Sequence, residues 1–469
     1  MSPGEIARLA QDDMSPGEIP RFAQDDMSPG EIPRFARDDM SPGEIRRFAQ
    51  DDIAKPCYLY LVRSYDVVVV GAGIVGLAVA RELLIRYPKL RLGILDKEPS
   101  IGRHQTGHNS GVLHSGIYYA PGSLKAKLCV QGQRELYTYC EQKGIPTDRC
   151  GKVIVATSEE EAPRLDNLLQ RGQANGVQGL EMIGPELLKE IEPHCVGVKA
   201  LWSPNTGIVD FSRIARAFAD DISQSGGDVL PGYAVERFED RSGEVVLHTT
   251  AGEVHAKHVI ACAGLHADRV ARMTGAPRDP RIVPFRGDYW ILRPDRRYLA
   301  RNLIYPVPDP SFPFLGVHTT RRIEDGSVWL GPNAVLAFAR EGYGRLDFRP
   351  RDLFESISYS GFQRLAGKFW QTGMGEMVRD FSKEAFLRSL QVYIPELTMA
   401  DLLPGPSGVR AQALGADGAL VDDFVFNTQG NRIVHVRNAP SPGATSSLAI
   451  GRMIADTAAE TFGLENGAA

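Results

Sequence analysis

Val67, Val68, Val69 and Val70 run directly into Gly71, Gly73 and Gly76, and this junction restricts the chain more than any other feature. In Y-D-V-V-V-V-G-A-G-I-V-G the valines suit a parallel strand buried on both faces. The glycines complete G-x-G-x-x-G, and an apolar pattern of helical period follows to about Tyr87. A second strand is expected over 90–95, ending in Asp96. Each part has a physical task. The glycines allow a tight turn, close approach of backbone to a pyrophosphate, and close helix–strand packing; the helix N-terminus faces the phosphates, and the acid accepts from a ribose hydroxyl. A lone glycine pattern is weak evidence and can be a structural turn. In its strand–turn–helix–strand–acid context it predicts a dinucleotide site, without choosing between FAD and NAD.

That choice comes from elsewhere in the chain. A buried strand is expected at 258–263, followed by Gly264 and a helix near Ala267. Another, at 432–436, leads into N-A-P-S-P-G-A-T-S-S and a closing helix at 448–462. Ser446 or Ser447 is placed to cap that helix, whose N-terminus suits the electron-rich pyrimidine edge of a reduced flavin. A nucleotide domain assembled from N-terminal, middle and C-terminal pieces is unlike a compact NAD domain. The expected fold class is therefore α/β. A Rossmann-like FAD-binding domain takes 53–150, 206–275 and 405–469; a substrate domain with a mixed or antiparallel sheet takes 151–205 and 276–404. Within the latter, 350–391 reads as helices, with Leu353, Ile357, Phe362, Leu365 and Phe369, then Phe381, Phe386 and Leu390, as core positions rather than a membrane-binding face.

The 469 residues fit two or three domains. With 53 basic against 58 acidic residues, no basic excess is left to bind nucleic-acid phosphates. Residues 1–52 stand apart. A 13-residue unit beginning M-S-P-G-E-I recurs at Met1, Met14, Met27 and Met40, each copy ending in Asp-Asp. Ser2, Pro3 and Glu5 form a helix-start signal, but isolated helices so short are marginal in water. A docking peptide anchored by Ile6 and Leu9, or Ile19 and Phe22, is one reading. A coding duplication without a role, disordered in the protein, is the reading adopted. Six cysteines (57, 129, 140, 150, 195, 262) lack any zinc spacing and read as free thiols in a reducing compartment. The acidic N-terminus carries no secretory or transit pattern. The expectation is a cytoplasmic protein, with peripheral contact to the inner membrane left open.

Seven further segments are more specific than the glycine motif: H-Q-T-G-H-N-S-G-V-L-H-S-G-I-Y-Y (104–119), P-G-S-L-K-A-K-L-C (121–129), P-F-R-G-D-Y-W (284–290), P-F-L-G-V-H (313–318), G-P-N-A-V (331–335), G-V-R-A-Q-A (408–413) and N-A-P-S-P-G-A-T-S-S (438–447). On these, residues 64 to about 460 resemble the L-2-hydroxyglutarate dehydrogenase/oxidase family, within the D-amino-acid-oxidase-like flavoproteins. The resemblance implies a non-covalent FAD and oxidation of the C2 hydroxyl of L-2-hydroxyglutarate to 2-oxoglutarate. Such a reaction needs a base near C2 and cations for two carboxylates.

The histidines suit the base, because their unperturbed pKa lies close to working pH. His318 and His114 are the candidates, although a lone histidine on an apolar strand is more often a core residue. Arg410 and Arg286 are the candidate carboxylate clamps, since a planar guanidinium matches a carboxylate bidentately. Arg286 has a structural alternative in pairing with Asp288. Tyr289, Asn333 and Tyr119 are candidates for the distal carboxylate, each with an equally good packing role. Lys125 and Lys127 read as a solvated face. The cofactor set is Gly71, Gly73, Gly76, Asp96, Lys97, Thr106, His108, Asn109, Ser110, Gly111, Gly264, Ser441, Gly443, Ala444, Thr445 and Ser446; no metal site is expected. The electron acceptor stays open among oxygen, a quinone and a carrier. The competing reading is an amine oxidase of the same fold acting on glycine, sarcosine or a D-amino acid. A glycerol-3-phosphate-type enzyme and a non-catalytic flavin adaptor stand further off.

Overall fold

The computed structural model describes residues 63–309, 315–368 and 382–464. The N-terminal repeats, Cys57, Pro313, Phe314, Phe369 and Phe381 lie outside the described residues.

The valine strand, Arg63–Val70, sits in the middle of an eight-stranded sheet. It pairs in parallel with Gly252–Ala261 on one side and Leu92–Asp96 on the other. Side chains alternate across a strand, so the valines serve two cores. Val67 and Val69 pack with Leu77, Phe218, Ile450 and Ile454 against the helices. Val68 and Val70 pack with Val245, Leu247, Val254 and Val259 on the opposite face. Each fully buried aliphatic side chain contributes about 1.5–3 kcal/mol. The helices on the first face are Ile74–Arg86, Phe211–Gln224 and Ser447–Phe462. The first and last meet closely: a Cβ on Gly451 would lie 2.9 Å from the Ala78 backbone.

Strand edges differ by a few residues from the sequence expectation. The second strand starts at Leu92, because the Leu90 amide donates to Tyr87 O at 3.0 Å and closes a turn. The middle strand ends at Ala261 and the C-terminal one runs Ile433–Asn438. Neither candidate serine caps the closing helix: Ser446 occupies the N-cap position without a side-chain cap bond, and the Ser446 and Ser447 hydroxyls are buried without a partner.

A second, nine-stranded sheet includes Lys152–Ala156, Lys199–Ser203, Arg281–Leu292, Leu303–Pro306, His318–Arg321 and Leu402–Leu414. It is mixed, with Leu303–Pro306 running parallel to Lys152–Ala156 and antiparallel pairs elsewhere. Leu402–Leu414 crosses the boundary expected at 405 and pairs along nearly the whole of Arg281–Leu292, with Phe285 opposite Arg410. Arg410 is thus delivered by this sheet.

The helical stripe expected from Leu353 is corrected in part. Phe386 and Leu390 are core, and Phe362 and Leu365 pack against a small cluster with Tyr359 and Leu414. Helix Pro350–Ile357 instead buries Asp352 and Ser356. Asp352 accepts from Arg340 N at 2.8 Å and pairs with Arg269, and a buried carboxylate needs those partners. The helix therefore turns its acid inward and leaves Phe354 (67% exposed) and Ile357 (45%) outward. Among the described residues no helix is long and apolar enough to cross a membrane.

Candidate active site

A cavity of about 1020 Å³ runs from the glycine turn to the second sheet. At its nucleotide end the backbone itself is the binding surface. Gly71 has φ +108°, and a Cβ there would press on the Cys262 carbonyl. A Cβ on Gly76 would collide with the Gly71 carbonyl oxygen. Gly73 differs: its Cβ would find only Thr106 Oγ1, at 3.5 Å, so the space beside it is open toward the cavity. Thr106 Oγ1 accepts from Ile74 N at 3.0 Å and holds the loop against the helix start. Asp96 accepts from Ala72 N at 2.7 Å and Glu98 N at 2.9 Å.

Most of the predicted cofactor set lines this cavity: Gly71, Gly73, Gly76, Asp96, Lys97, Thr106, His108, Asn109, Ser110, Gly264, Ser441, Gly443, Ala444 and Thr445. Gly111 and Ser446 do not. Gly111 has φ +74°, and its missing Cβ makes room for Arg322 and the Val209 carbonyl, a packing role. Asn109 lines the cavity, but its amide donates to Gln105 O and Thr106 O and its carbonyl accepts from Gly111 N, so it braces its own loop. His108 likewise bonds His104 O and stacks on Tyr343 at 3.9 Å. Thr445 Oγ1 accepts from His114 N and donates to Val112 O, both at 3.2 Å, joining the C-terminal loop to the histidine loop. Open glycine backbone, a helix start and polar loop groups form a cradle that fits a dinucleotide such as FAD.

At the other end, His114, His318, Arg410, Tyr289 and Tyr119 all line the cavity. His318 Nδ1 lies 2.8 Å from Gly316 O. A carbonyl only accepts, so Nδ1 carries the hydrogen and Nε2 keeps its lone pair. Tyr305 stacks on the imidazole at 3.9 Å. Burial lowers the His318 pKa to about 3, with the Gly316 bond opposing and Arg410 and Lys152 assisting. His114 is also lowered to about 3, by burial, then Lys152 and His318. Burial raises the Tyr119 pKa, with Ser441 opposing.

Two expected ligands are absent from the cavity wall. Gly287 and Tyr289 line it, and the alternation of the strand turns Arg286 and Asp288 away. Arg286 is 3% exposed and pairs with Asp288 at 3.0 Å, the structural alternative. Asn333, also 3% exposed, accepts from Asp288 N at 2.7 Å and so supports that pair. Lys127 is solvated as expected, but Lys125 is half-buried and lines the cavity. Sequence reasoning missed Tyr118, Tyr305 and Lys152. The lysine left one signal, opening the otherwise apolar strand K-V-I-V-A.

The buried histidines tie stability to pH. His114 and His318 are lowered to about 3 and His435 to about 4, each from 6.5. Between pH 6.5 and those values the unfolded chain binds more protons than the folded one. The stability that these histidines contribute is therefore complete above about pH 6.5 and lost as pH falls, by up to about 1.4 kcal/mol per pH unit for each. Tm is expected to drop steadily from pH 7 to pH 5; a flat profile there contradicts the burial.

Residues 66–457 match the family model "FAD dependent oxidoreductase". An L-2-hydroxyglutarate dehydrogenase, mitochondrial, of Nematostella vectensis is 54% identical over 418 residues, covering 85% of this chain and 91% of that protein. The Homo sapiens protein of the same name is 52% identical over 417 residues, covering 86% and 90%. An L-2-hydroxyglutarate dehydrogenase of Indibacter alkaliphilus is 47% identical, covering 85% and 100%. Among solved structures, an FAD-bound L-alpha-glycerophosphate oxidase of Mycoplasma pneumoniae has TM-score 0.70 at 22% identity, covering 86% of this chain and 96% of that one. A glycine oxidase of Geobacillus kaustophilus has TM-score 0.64 at 19% identity, covering 85% and 95%. These two share the fold. With the cradle, the cavity and half-identical relatives over most of its length, the chain belongs to the L-2-hydroxyglutarate dehydrogenase family of FAD-dependent oxidoreductases.

Proposed function

We propose that this chain oxidises the C2 hydroxyl of L-2-hydroxyglutarate to 2-oxoglutarate. The observation that carries the reading is the meeting of His318, His114, Arg410 and Tyr289 on the cavity that the glycine turn opens into. Gly71, Gly73 and Gly76 would hold the FAD pyrophosphate through backbone, Asp96 the ribose, and the Gly443–Thr445 loop the ring end. FAD, when bound, accepts the hydride from C2.

The chain's own residues do the rest. Arg410 grips the C1 carboxylate bidentately and sets C2 in place. His318 Nε2 takes the hydroxyl proton, its ring fixed by Gly316 O and Tyr305. An anionic substrate beside it offsets the desolvation that holds its proton affinity down. His114 stands by as a second polar group, and Tyr289 closes the wall. An amine oxidase acting on glycine or sarcosine needs one carboxylate clamp and would leave the remaining polar wall without a purpose, and the relatives compared above carry the hydroxy-acid name.

The reading includes a flavin domain from 63–150, 206–275 and the C-terminal segment, with Leu402–Leu414 given to the substrate domain, while 53–62 of the expected domain lie outside the described residues. It also includes a peripheral membrane contact through Leu346 (91% exposed), Phe348 (57%), Phe354 and Ile357, beside Arg349 and Arg351. Anaerobic addition of substrates to the holoenzyme tests the activity, run with and without anionic vesicles. Bleaching of the flavin bands is expected with L-2-hydroxyglutarate, and none with its D-enantiomer, glycine or sarcosine. Sedimentation with the vesicles reports the contact. Bleaching by an amine alone overturns the hydroxy-acid reading.

A further inference from the structure

The reading above asks for two carboxylate partners, and with Arg286 neutralised by Asp288 only Arg410 of the expected pair remains at the cavity. Several other cations on the wall are matched with acids, while Arg171 and Arg437 donate to backbone carbonyls. Lys97 pairs with Glu341 at 2.6 Å, Arg269 with Glu355 at 2.7 Å, and Lys125 faces Asp422 and Asp423. Lys152 lies behind that wall, under the Tyr118 and Tyr305 rings, and is different. It is 1% exposed, and among the described residues no carboxylate or other hydrogen-bond acceptor meets its ammonium. Its Nζ lies instead 4.6 Å from the Tyr118 ring centroid and 5.0 Å from that of Tyr305, and both rings line the cavity. The Tyr118 hydroxyl is itself buried without a hydrogen-bond partner. A buried hydroxyl without a partner is costly and calls for an occupant.

We infer that Lys152 and Tyr118 form the subsite for the second carboxylate of a dicarboxylic substrate, the tyrosine hydroxyl donating to it and the lysine supplying the counter-charge behind the ring. This rests on the dicarboxylate reading above. The groups facing Lys152 from the surrounding elements are His114 and Tyr118 from the histidine loop, Cys129 from the helix Leu124–Gln142, Tyr305 and His318 from neighbouring strands, and Ser203 across the ladder. None is an acid. Burial accordingly lowers the Lys152 pKa to about 7, with Cys129 opposing. At pH 8 the empty site holds mostly the neutral amine. A carboxylate arriving beside it favours the ammonium, so binding draws a proton from solvent.

The experiment is calorimetric binding to the oxidised holoenzyme at pH 8 in buffers of different ionisation enthalpy. The probes are glutarate, which lacks the oxidisable hydroxyl, and valerate, its monocarboxylate counterpart. Glutarate is expected to take up close to one proton per site, and valerate far less. Lys152→Arg keeps a permanent charge, so it should bind glutarate without proton uptake. Lys152→Met should lose the uptake and weaken glutarate about 10- to 100-fold while leaving valerate unchanged. Tyr118→Phe should weaken glutarate and retain the uptake.

Equal uptake with both probes overturns the subsite, as does undiminished uptake in Lys152→Arg. An unchanged glutarate-to-valerate preference in Lys152→Met does the same. If Lys152→Met does not fold, the wild-type and Lys152→Arg titrations still decide. Failure of L-2-hydroxyglutarate to bleach the flavin would sink the functional reading. Bleaching with no effect of the Lys152 variants would sink the subsite alone.

Discussion

His318→Asn is expected to lower kcat for L-2-hydroxyglutarate by about 10²- to 10⁴-fold, the range that general-base catalysis contributes. Asparagine keeps a donor for the Gly316 carbonyl, which His318 Nδ1 now contacts at 2.8 Å, and it fits within the imidazole's volume. What it cannot do is accept a proton at neutral pH. The fall should therefore appear in kcat and in the single-turnover rate of flavin reduction, with KM changed little. His114→Asn is expected to cost less, because the described contacts of that residue fix its backbone, through Thr445 Oγ1, rather than its ring. The checking measurement is stopped-flow flavin reduction by both variants. A larger loss for His114→Asn transfers the base to that residue.

Gly76→Ala is expected to give protein that retains no flavin through purification. The added methyl would meet the Gly71 carbonyl oxygen, the Gly71 carbonyl carbon at 3.2 Å and Cys262 Cβ at 3.3 Å. Two of those atoms are backbone and cannot swing aside, so the turn must open. Overpacking of this kind costs about 1–3 kcal/mol, enough to weaken a cradle made of backbone by about 10- to 100-fold. Gly73→Ala separates fold from cofactor. Its Cβ has ordinary contact with Thr106 Oγ1 at 3.5 Å and nothing closer, so the protein should fold with an unchanged Tm when free of flavin. Loss of FAD affinity there reports the approach of the cofactor itself. Absorbance at the flavin bands against protein concentration, with and without added FAD, measures both. Full flavin retention in Gly76→Ala would overturn the account of the turn.

The nucleotide end of the site was legible because its determinants are local. Strand, turn and helix lie within about two dozen consecutive residues, and valine branching, glycine freedom and helical period act over that distance. The same holds for the buried strand at 433–438 and its closing helix, whose limits moved by a residue or two. Burial at 350–357 was not legible from apolar spacing, because the ion pair of Asp352 with Arg269 and the Arg340 backbone amide it accepts from decide which face turns inward.

The substrate end could be read from sequence only as a set of candidates. Arg286 and Arg410 are both arginines on buried strands, and no local pattern separates them. Their strands pair antiparallel with Phe285 opposite Arg410, and that register sends one guanidinium to the cavity and the other to Asp288. Lys152 gains its setting from Tyr118, Tyr305, His114 and His318, which come from three other places in the chain. Sequence by itself determined the α/β class and the glycine turn of a dinucleotide site, since short-range sterics and hydrophobic period specify them, and the longer motifs carried the family resemblance. Which charged side chains face the cavity was decided only by tertiary structure. A one-residue change of strand register reverses the facing of every side chain on it, and burial sets the proton affinity of whatever faces inward.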